Sequence, residues 1–214
     1  MIARSVRAGF VVTALVSTAV AAQQRGAAPP PLPPAGAPAQ PGQRGGARGR
    51  GAVQVMTLHG IWPDGGSIPA RYTQAAGEES PPLQWTDAPD GVVSYVLVMH
   101  DVDAAAGNGT DDTLHWLVWN IPGSQTQLPG SIPQGAQLSS GARQISATGP
   151  NYRGPGAPAS GPAHHYVFEL FALDAVLDVP AVGASPPQTR AVVMAAMAGH
   201  VRGKAAYVGV FKRM

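Results

Sequence analysis

Five short runs rich in Val, Leu and aromatic residues constrain this chain most: Ala52 to Leu58, Ser94 to His100, Leu114 to Ile121, Tyr166 to Leu173 and Ala206 to Lys212. Each is bounded by Gly, Pro, Asn or Asp, the signature of strands ended by turns. Several are apolar at consecutive positions, as expected of strands covered on both faces. The spacing predicts one helix, over Pro187 to His200, with Val192, Val193, Ala196 and Met197 recurring at helical intervals. Ser185 stands where a cap would, ahead of Pro186 and Pro187, and Gly199 lies near the exit. Sparse helix, many short strands and loops rich in Gly and Pro predict a mainly β domain. The expected form is two antiparallel sheets packed as a sandwich with a few peripheral helices.

The first 52 residues are of a different kind. Arg4 and Arg7 precede an apolar run from Gly9 to Ala19, and Ala19-Val20-Ala21-Ala22 offers small residues at the spacing of a signal-peptidase site. Residues 1–22 therefore read as a cleavable signal peptide, with a periplasmic or secreted destination. The apolar run is shorter than the ~20 residues that span a bilayer. Residues 23–52 pass from Pro29-Pro30-Pro31-Leu32-Pro33-Pro34 to Gly42-Gln43-Arg44-Gly45-Gly46-Ala47-Arg48-Gly49-Arg50. With almost nothing bulky to bury, they read as a disordered linker. Residues 53–214 follow as a single domain, long enough for a sizeable core. The chain holds no cysteine, so no disulfide framework and no lipid-bearing Cys is available.

Charge divides along the same boundary. Six of the 14 Arg and Lys residues precede residue 52, whereas all 12 acidic residues follow it, which leaves the domain near −4. A nucleic-acid-binding domain needs the opposite sign on one face, so no nucleic-acid partner is expected. The tail arginines read as a solvated linker, with peripheral contact to an anionic membrane left open.

Two polar clusters sit at the ends of apolar runs: Asp101-Val102-Asp103 with His115-Trp116, and Gly154-Pro155 with His164-His165-Tyr166. Side chains alternate along a strand. Tyr95, Leu97, Met99 and Asp101 thus share one face, as do His115, Leu117 and Trp119, and as do His164, Tyr166 and Phe168. Pairing of the strands on either side of a loop at 102–113 would bring Asp101 close to His115. A carboxylate, two imidazoles and a phenol at one sheet end, floored by aromatics, suit a small anionic head group. Asp101 reads first as a pocket residue, with a cap of its own loop as the lesser reading, and Asp103 reads as readily as a loop stabiliser. His59, His100, His165 and His200 read as structural or exposed. Long loops at 102–113 and 122–163 are where function is expected.

From about residue 54 onward the chain resembles the phosphatidylethanolamine-binding proteins, in their bacterial Raf-kinase-inhibitor-like (YbhB/YbcL-type) branch. The resemblance rests on Ser80-Pro81-Pro82-Leu83-Gln84-Trp85, Asp101-Val102-Asp103-Ala104 and His115 through Pro122. It continues in Asn151-Tyr152-Arg153-Gly154-Pro155, His164-His165-Tyr166-Val167-Phe168 and Met197-Ala198-Gly199-His200. It implies a two-sheet fold with an anion pocket at one sheet end, formed by Asp101, His115, Pro155, His164 and Tyr166, with Asp103 beside them, and no metal or other cofactor. The family usually has Asp-Pro-Asp-Ala-Pro where this chain has Asp101-Val102-Asp103-Ala104-Ala105, and Gly-Pro-Cys-Pro-Pro where it has Gly154-Pro155-Gly156-Ala157-Pro158. Proline fixes backbone angles, so looser pocket loops are expected here.

A binding protein for a phosphoryl or carboxylate group, including a phospholipid head group, is the leading expectation. An inhibitor of a protease or kinase acting through its surface is implied only by relatives. A hydrolase using the Asp/His/Tyr cluster ranks last, since the chain has no Gly-x-Ser-x-Gly elbow and no zinc motif.

Overall fold

A computed structural model of the protein describes residues 52–214; the expected signal peptide and nearly all of the expected linker lie outside the described residues. In chain order the elements are β1 (Gln54–Val55), β2 (Thr57–His59), β3 (Gly66–Ser67), a 3-10 turn (Ala70–Tyr72) and β4 (Leu83–Thr86). They continue with β5 (Ser94–Ala106), β6 (Asp111–Pro122), β7 (Gln127–Leu128), β8 (Arg143–Ile145), β9 (His164–Leu173), α1 (Pro186–Ala196) and β10 (Val201–Phe211).

The strands form two sheets, as the sequence leads one to expect. The larger runs β1-β10-β9-β5-β6-β8, with β3 also on the edge of β10, and the smaller runs β2-β4-β7. The four long strands at the centre are antiparallel neighbours. Between the sheets lies a core that includes Leu58, Trp85, Tyr95, Leu97, Met99, Trp116, Phe168 and Tyr207. On the outer face Val96, Val98, Leu117, Trp119, Phe171 and Leu173 pack with Val193 and Met197 of the helical segment. The central strands are therefore buried on both faces, which is why their sequences run apolar without a break.

The run from Ala52 is two strands rather than one. Met56 is buried between them, and there the chain passes from the large sheet to the small one. The segment 102–113, expected as a loop, is mostly strand: β5 and β6 extend past the core and leave only Gly107–Thr110 as a turn. Gly107 and Gly109, with φ of 57° and 88°, supply its left-handed backbone. Its polar, exposed residues hid the strand from a reading based on apolar runs. The expected loop at 122–163 likewise contains β7 and β8. The helix ends at Ala196, short of His200, and its start is tied by Gln188 Oε1, which accepts from Ser185 N at 3.1 Å and Oγ at 2.9 Å.

Candidate functional site

β5 and β9 pair with Asp101 opposite Tyr166, so the polar ends of two inward-facing stripes meet at one end of the large sheet. Asp101 is buried, with 3% of its surface exposed. Its Oδ2 lies 2.9 Å from His164 Nδ1, while Oδ1 accepts the backbone N–H groups of Asp103 at 3.0 Å and Ala104 at 3.1 Å. One carboxylate thus both orients an imidazole and caps its own strand bulge. A carboxylate can only accept here, so the proton sits on His164 Nδ1 and Nε2 is the atom left for other partners.

His115 reaches the site through an irregularity. In the β5–β6 register Met99 faces Trp116 and His100 faces Leu114, which leaves His115 as an extra residue. Such a bulge re-aims a side chain. His115 lies edge-on to the inward Tyr166 ring, 5.1 Å between centroids at 87°, next to the inward Trp116. Leu117 and Trp119 belong to the outer core, so the expectation that they share a face with His115 is corrected. Plain alternation fails across an added residue. His115 Nδ1 donates to the Arg153 carbonyl at 2.9 Å, which again leaves Nε2 for a ligand. Burial pushes the imidazole below its usual 6.5, and the nearby Arg153 charge adds to this against the pull of the Arg153 carbonyl and Asp101.

The loop 151–157 covers this end. Pro155 is buried, and its carbonyl accepts the Gln74 N–H at 2.9 Å. Gln74 Nε2 donates to the Gly154 carbonyl at 2.8 Å, and Gly154 N–H donates to Glu78 Oε1 at 3.2 Å. The Tyr166 hydroxyl accepts N–H groups from Gly156 at 3.2 Å and Ala157 at 3.1 Å. Burial, then the Asp101 charge, push that hydroxyl up to about 12, so it stays neutral and serves as an anchor. These hydrogen bonds tie the loop to Gln74, Glu78 and Tyr166. Gly154 is required sterically: a Cβ there would stand 2.8 Å from the Tyr72 carbonyl oxygen and 2.9 Å from Thr73 backbone.

The structure thus brings Asp101, His115, Pro155, His164 and Tyr166 together. Asp103 is turned elsewhere: its Oδ2 accepts from His165 N at 2.6 Å and faces His165 Nδ1 at 2.8 Å, on the exposed side of the strand. That backbone hydrogen bond, with the imidazole behind it, holds the Asp103 carboxyl below its usual range. Gln74, Glu78 and Arg153 are the neighbours that sequence reasoning missed. The first two lie about 80 residues from the loop they hold and belong to no recognisable pattern; Arg153 lay inside a quoted motif, where only its neighbours drew notice. Among the described residues no three His, Asp or Glu side chains gather as a metal-ligand group.

On the other face of β5, His100 heads a second ionic group. Its Nδ1 lies 2.5 Å from Asp112 Oδ2, which also pairs with Arg190, and its Nε2 lies 3.4 Å from Glu169 Oε2, long for a hydrogen bond. Lys204 Nζ stands 2.7 Å from Glu169 Oε1. A cleft of about 830 Å³ opens beside this group between the β5–β6 turn and the start of α1, lined by Leu114, Pro186, Pro187, Arg190 and Met194 among others. It is mostly apolar and its one arginine is spent on Asp112, so converging polar chemistry favours the Asp101 end.

Residues 60–212 match the family model for phosphatidylethanolamine-binding proteins. Similar sequences include a UPF0098 protein of Methanothermobacter thermautotrophicus, 39% identical over 152 residues that cover 70% of this chain and 93% of the relative. Another is the candidate lipoprotein LppC of Mycobacterium tuberculosis, 33% identical over 75% of this chain and 74% of the relative. Among solved structures, the phosphatidylethanolamine-binding protein homologue CT736 of Chlamydia trachomatis superposes with a TM-score of 0.63. It is 27% identical, covering 75% of this chain and 99% of that one. The fold of Escherichia coli YbcL gives the same TM-score of 0.63 at 22% identity. The chain belongs to the phosphatidylethanolamine-binding protein family.

Proposed function

We propose that this is an exported, non-enzymatic binding protein whose Asp101–His115–His164 end holds a small anionic group, phosphoryl or carboxylate, such as a phospholipid head group carries. The observation that carries this reading is the pair of imidazoles with both Nδ1 atoms committed, one to Asp101 and one to the Arg153 carbonyl. Each then presents Nε2 to a ligand in a fixed ring orientation. Neutral, Nε2 is a lone pair that repels an anion; protonated, it becomes a charge-assisted donor. Support for binding rather than turnover is the fate of the other groups. The Tyr166 hydroxyl is spent on the loop backbone and Asp101 on His164 and its own strand, so neither is a free nucleophile. Export is supported by the composition of residues 1–22 and by the likeness to LppC.

An anion at Nε2 favours the protonated over the neutral imidazole, so complex formation should take up protons and tighten as pH falls. Titration calorimetry with inorganic phosphate and with phosphoethanolamine tests this. Either His115→Ala or His164→Ala should cost ~1.5–3 kcal/mol, about tenfold or more in affinity. Asp101→Asn should cost more for the amine-bearing probe. Phosphate affinity that stays the same in both histidine variants between about pH 5.5 and 8 would move the site elsewhere.

A further inference from the structure

We propose that the cleft between the β5–β6 turn and α1 is a second ligand site, for a small soluble amine with an apolar body, whose ammonium group Asp111 holds. The inference stands apart from the anion reading above and uses none of its residues.

Two walls form the cleft. α1 leans on the outer core through Val193, with Met197 just beyond its end, and lines the cleft with Pro187, Ala191 and Met194. The other wall is the part of the β5–β6 hairpin that runs past the core. Leu114 is buried at its base, and Gly107, Thr110 and Asp111 are exposed at its far end. The Arg190 guanidinium ties the walls together by donating to both oxygens of Asp112. A volume of about 830 Å³ falls in the range of small-molecule sites, roughly 300–1,000 Å³. Asp101 faces inward from β5, whereas Asp112 pairs with the outward His100, so the cleft and the Asp101 end lie on opposite faces of the sheet.

The helix wall is unusually apolar for a surface element. Arg190 is the one charged residue among its 11, and Val192 and Met194 are 49% and 39% exposed. The solvent side of such a helix ordinarily carries charge, and apolar surface left in water beside a cleft marks a place for an apolar partner. Charge then selects the partner. Asp111, Asp112 and Arg190 are the charged residues that line the cleft. Arg190 is taken by Asp112, while the Asp111 carboxylate makes no ion pair or hydrogen bond among the described residues. It lies over the turn: a Cβ on Gly107 would stand 2.5 Å from its Oδ2. His100, Glu169 and Lys204 pair with one another and with Asp112, and none of the three lines the cleft. An anion entering would meet Asp111 with no free cation to answer it. A neutral molecule would gain nothing from that carboxylate, whereas an ammonium group pairs with it. The same carboxylate, in a domain with an excess of acidic residues, opposes docking on an anionic membrane.

The test uses the full chain with 4-phenylbutylamine, 4-phenylbutanol and 4-phenylbutyrate, which share one apolar body and differ in charge. Calorimetry at pH 7 should rank the amine first, the alcohol second and the carboxylate last. In methionine-methyl NMR the amine should shift the Met194 signal and leave that of buried Met99 in place. Asp111→Asn should weaken the amine by about threefold to fivefold, the scale of one exposed ion pair, and leave the alcohol unchanged. Ala191→Trp should fill the cleft and abolish amine binding, while phosphate binding stays as in wild type. Amine and alcohol that bind alike, or an amine isotherm unchanged in Asp111→Asn, overturns the inference. An amine isotherm that survives Ala191→Trp or disappears in His164→Ala overturns it too, since the amine then sits elsewhere. Wild type that binds no amine removes the inference and leaves the anion reading untouched. A concentration-dependent dimer that Ala191→Trp dissociates would seat a second copy in the cleft and overturn the small-molecule assignment.

Discussion

Gly154 shows how much of the site depends on a single atom. Its Cα lies so close to the Tyr72–Thr73 backbone that a methyl group has no room, and the opposing atoms are carbonyl and main chain rather than a movable side chain. Gly154→Ala must push the 151–157 loop away from the turn after the 3-10 segment, breaking the Gln74 and Glu78 contacts together. Overpacking of this kind costs about 1–3 kcal/mol. We expect a lower midpoint in urea and a weaker phosphate isotherm in the same variant. Gly156→Ala is the control: there the added atom would meet only the end of the Gln74 side chain, at 2.5 Å, which can swing aside. A smaller effect is expected.

At the scale of elements, β5 carries two ionic groups back to back, Asp101 inward and His100 outward. The outer group joins β5, β6, β9, β10 and α1 through His100, Asp112, Glu169, Lys204 and Arg190. The His100 imidazole beside it, aided by Lys204 and opposed by burial, holds Glu169 down at about 2 against an ordinary value of 4.5. Asp112 is also lowered: burial works against its charge, and Arg190 and His100 prevail. Burial likewise opposes the charge on His100, but its two carboxylate partners raise it above 6.5. The signs follow by linkage. Glu169 contributes stability above about pH 4.5 that is lost as pH falls toward about 2. His100 contributes below 6.5 and loses that contribution as pH rises through its raised value. Urea unfolding from pH 2 to 8 should show the acid arm, and Glu169→Gln should flatten it while costing ~1–3 kcal/mol at pH 6. An unchanged acid arm in that variant would assign the acid loss to other carboxylates.

The same strands show what a sequence does and does not disclose. The cores of β5, β6, β9 and β10 were legible because burial on both faces leaves an unbroken apolar run. The outer half of the β5–β6 hairpin was not, because its side chains project into water and only backbone pairing holds it. β1, β3, β7 and β8 have two or three residues each, too few for any periodicity. Asp101, His115, Pro155, His164 and Tyr166 could be named as candidates from cluster and resemblance. The bulge that brings His115 inward could not, since it exists only as a mismatch between two strands. Gln74 and Glu78 escaped because their partners are backbone atoms far along the chain.

For the molecule as a whole, two apolar clusters among the described residues hold the two sheets and the helix together. A chain starting at Ala52 should therefore melt within a few degrees of one that retains residues 23–51, because the omitted stretch brings almost no bulky apolar surface. A drop of ten degrees or more in calorimetry would mean that the omitted residues pack on the domain. The rims of the large sheet carry a different consequence. On one side β10 is met by β1 at Gly203 and Lys204 and by β3 at Gly209 and Val210; on the other the sheet stops at three-residue β8. Neither rim offers a long row of unpaired backbone groups, so a strand from another copy finds little to lengthen against.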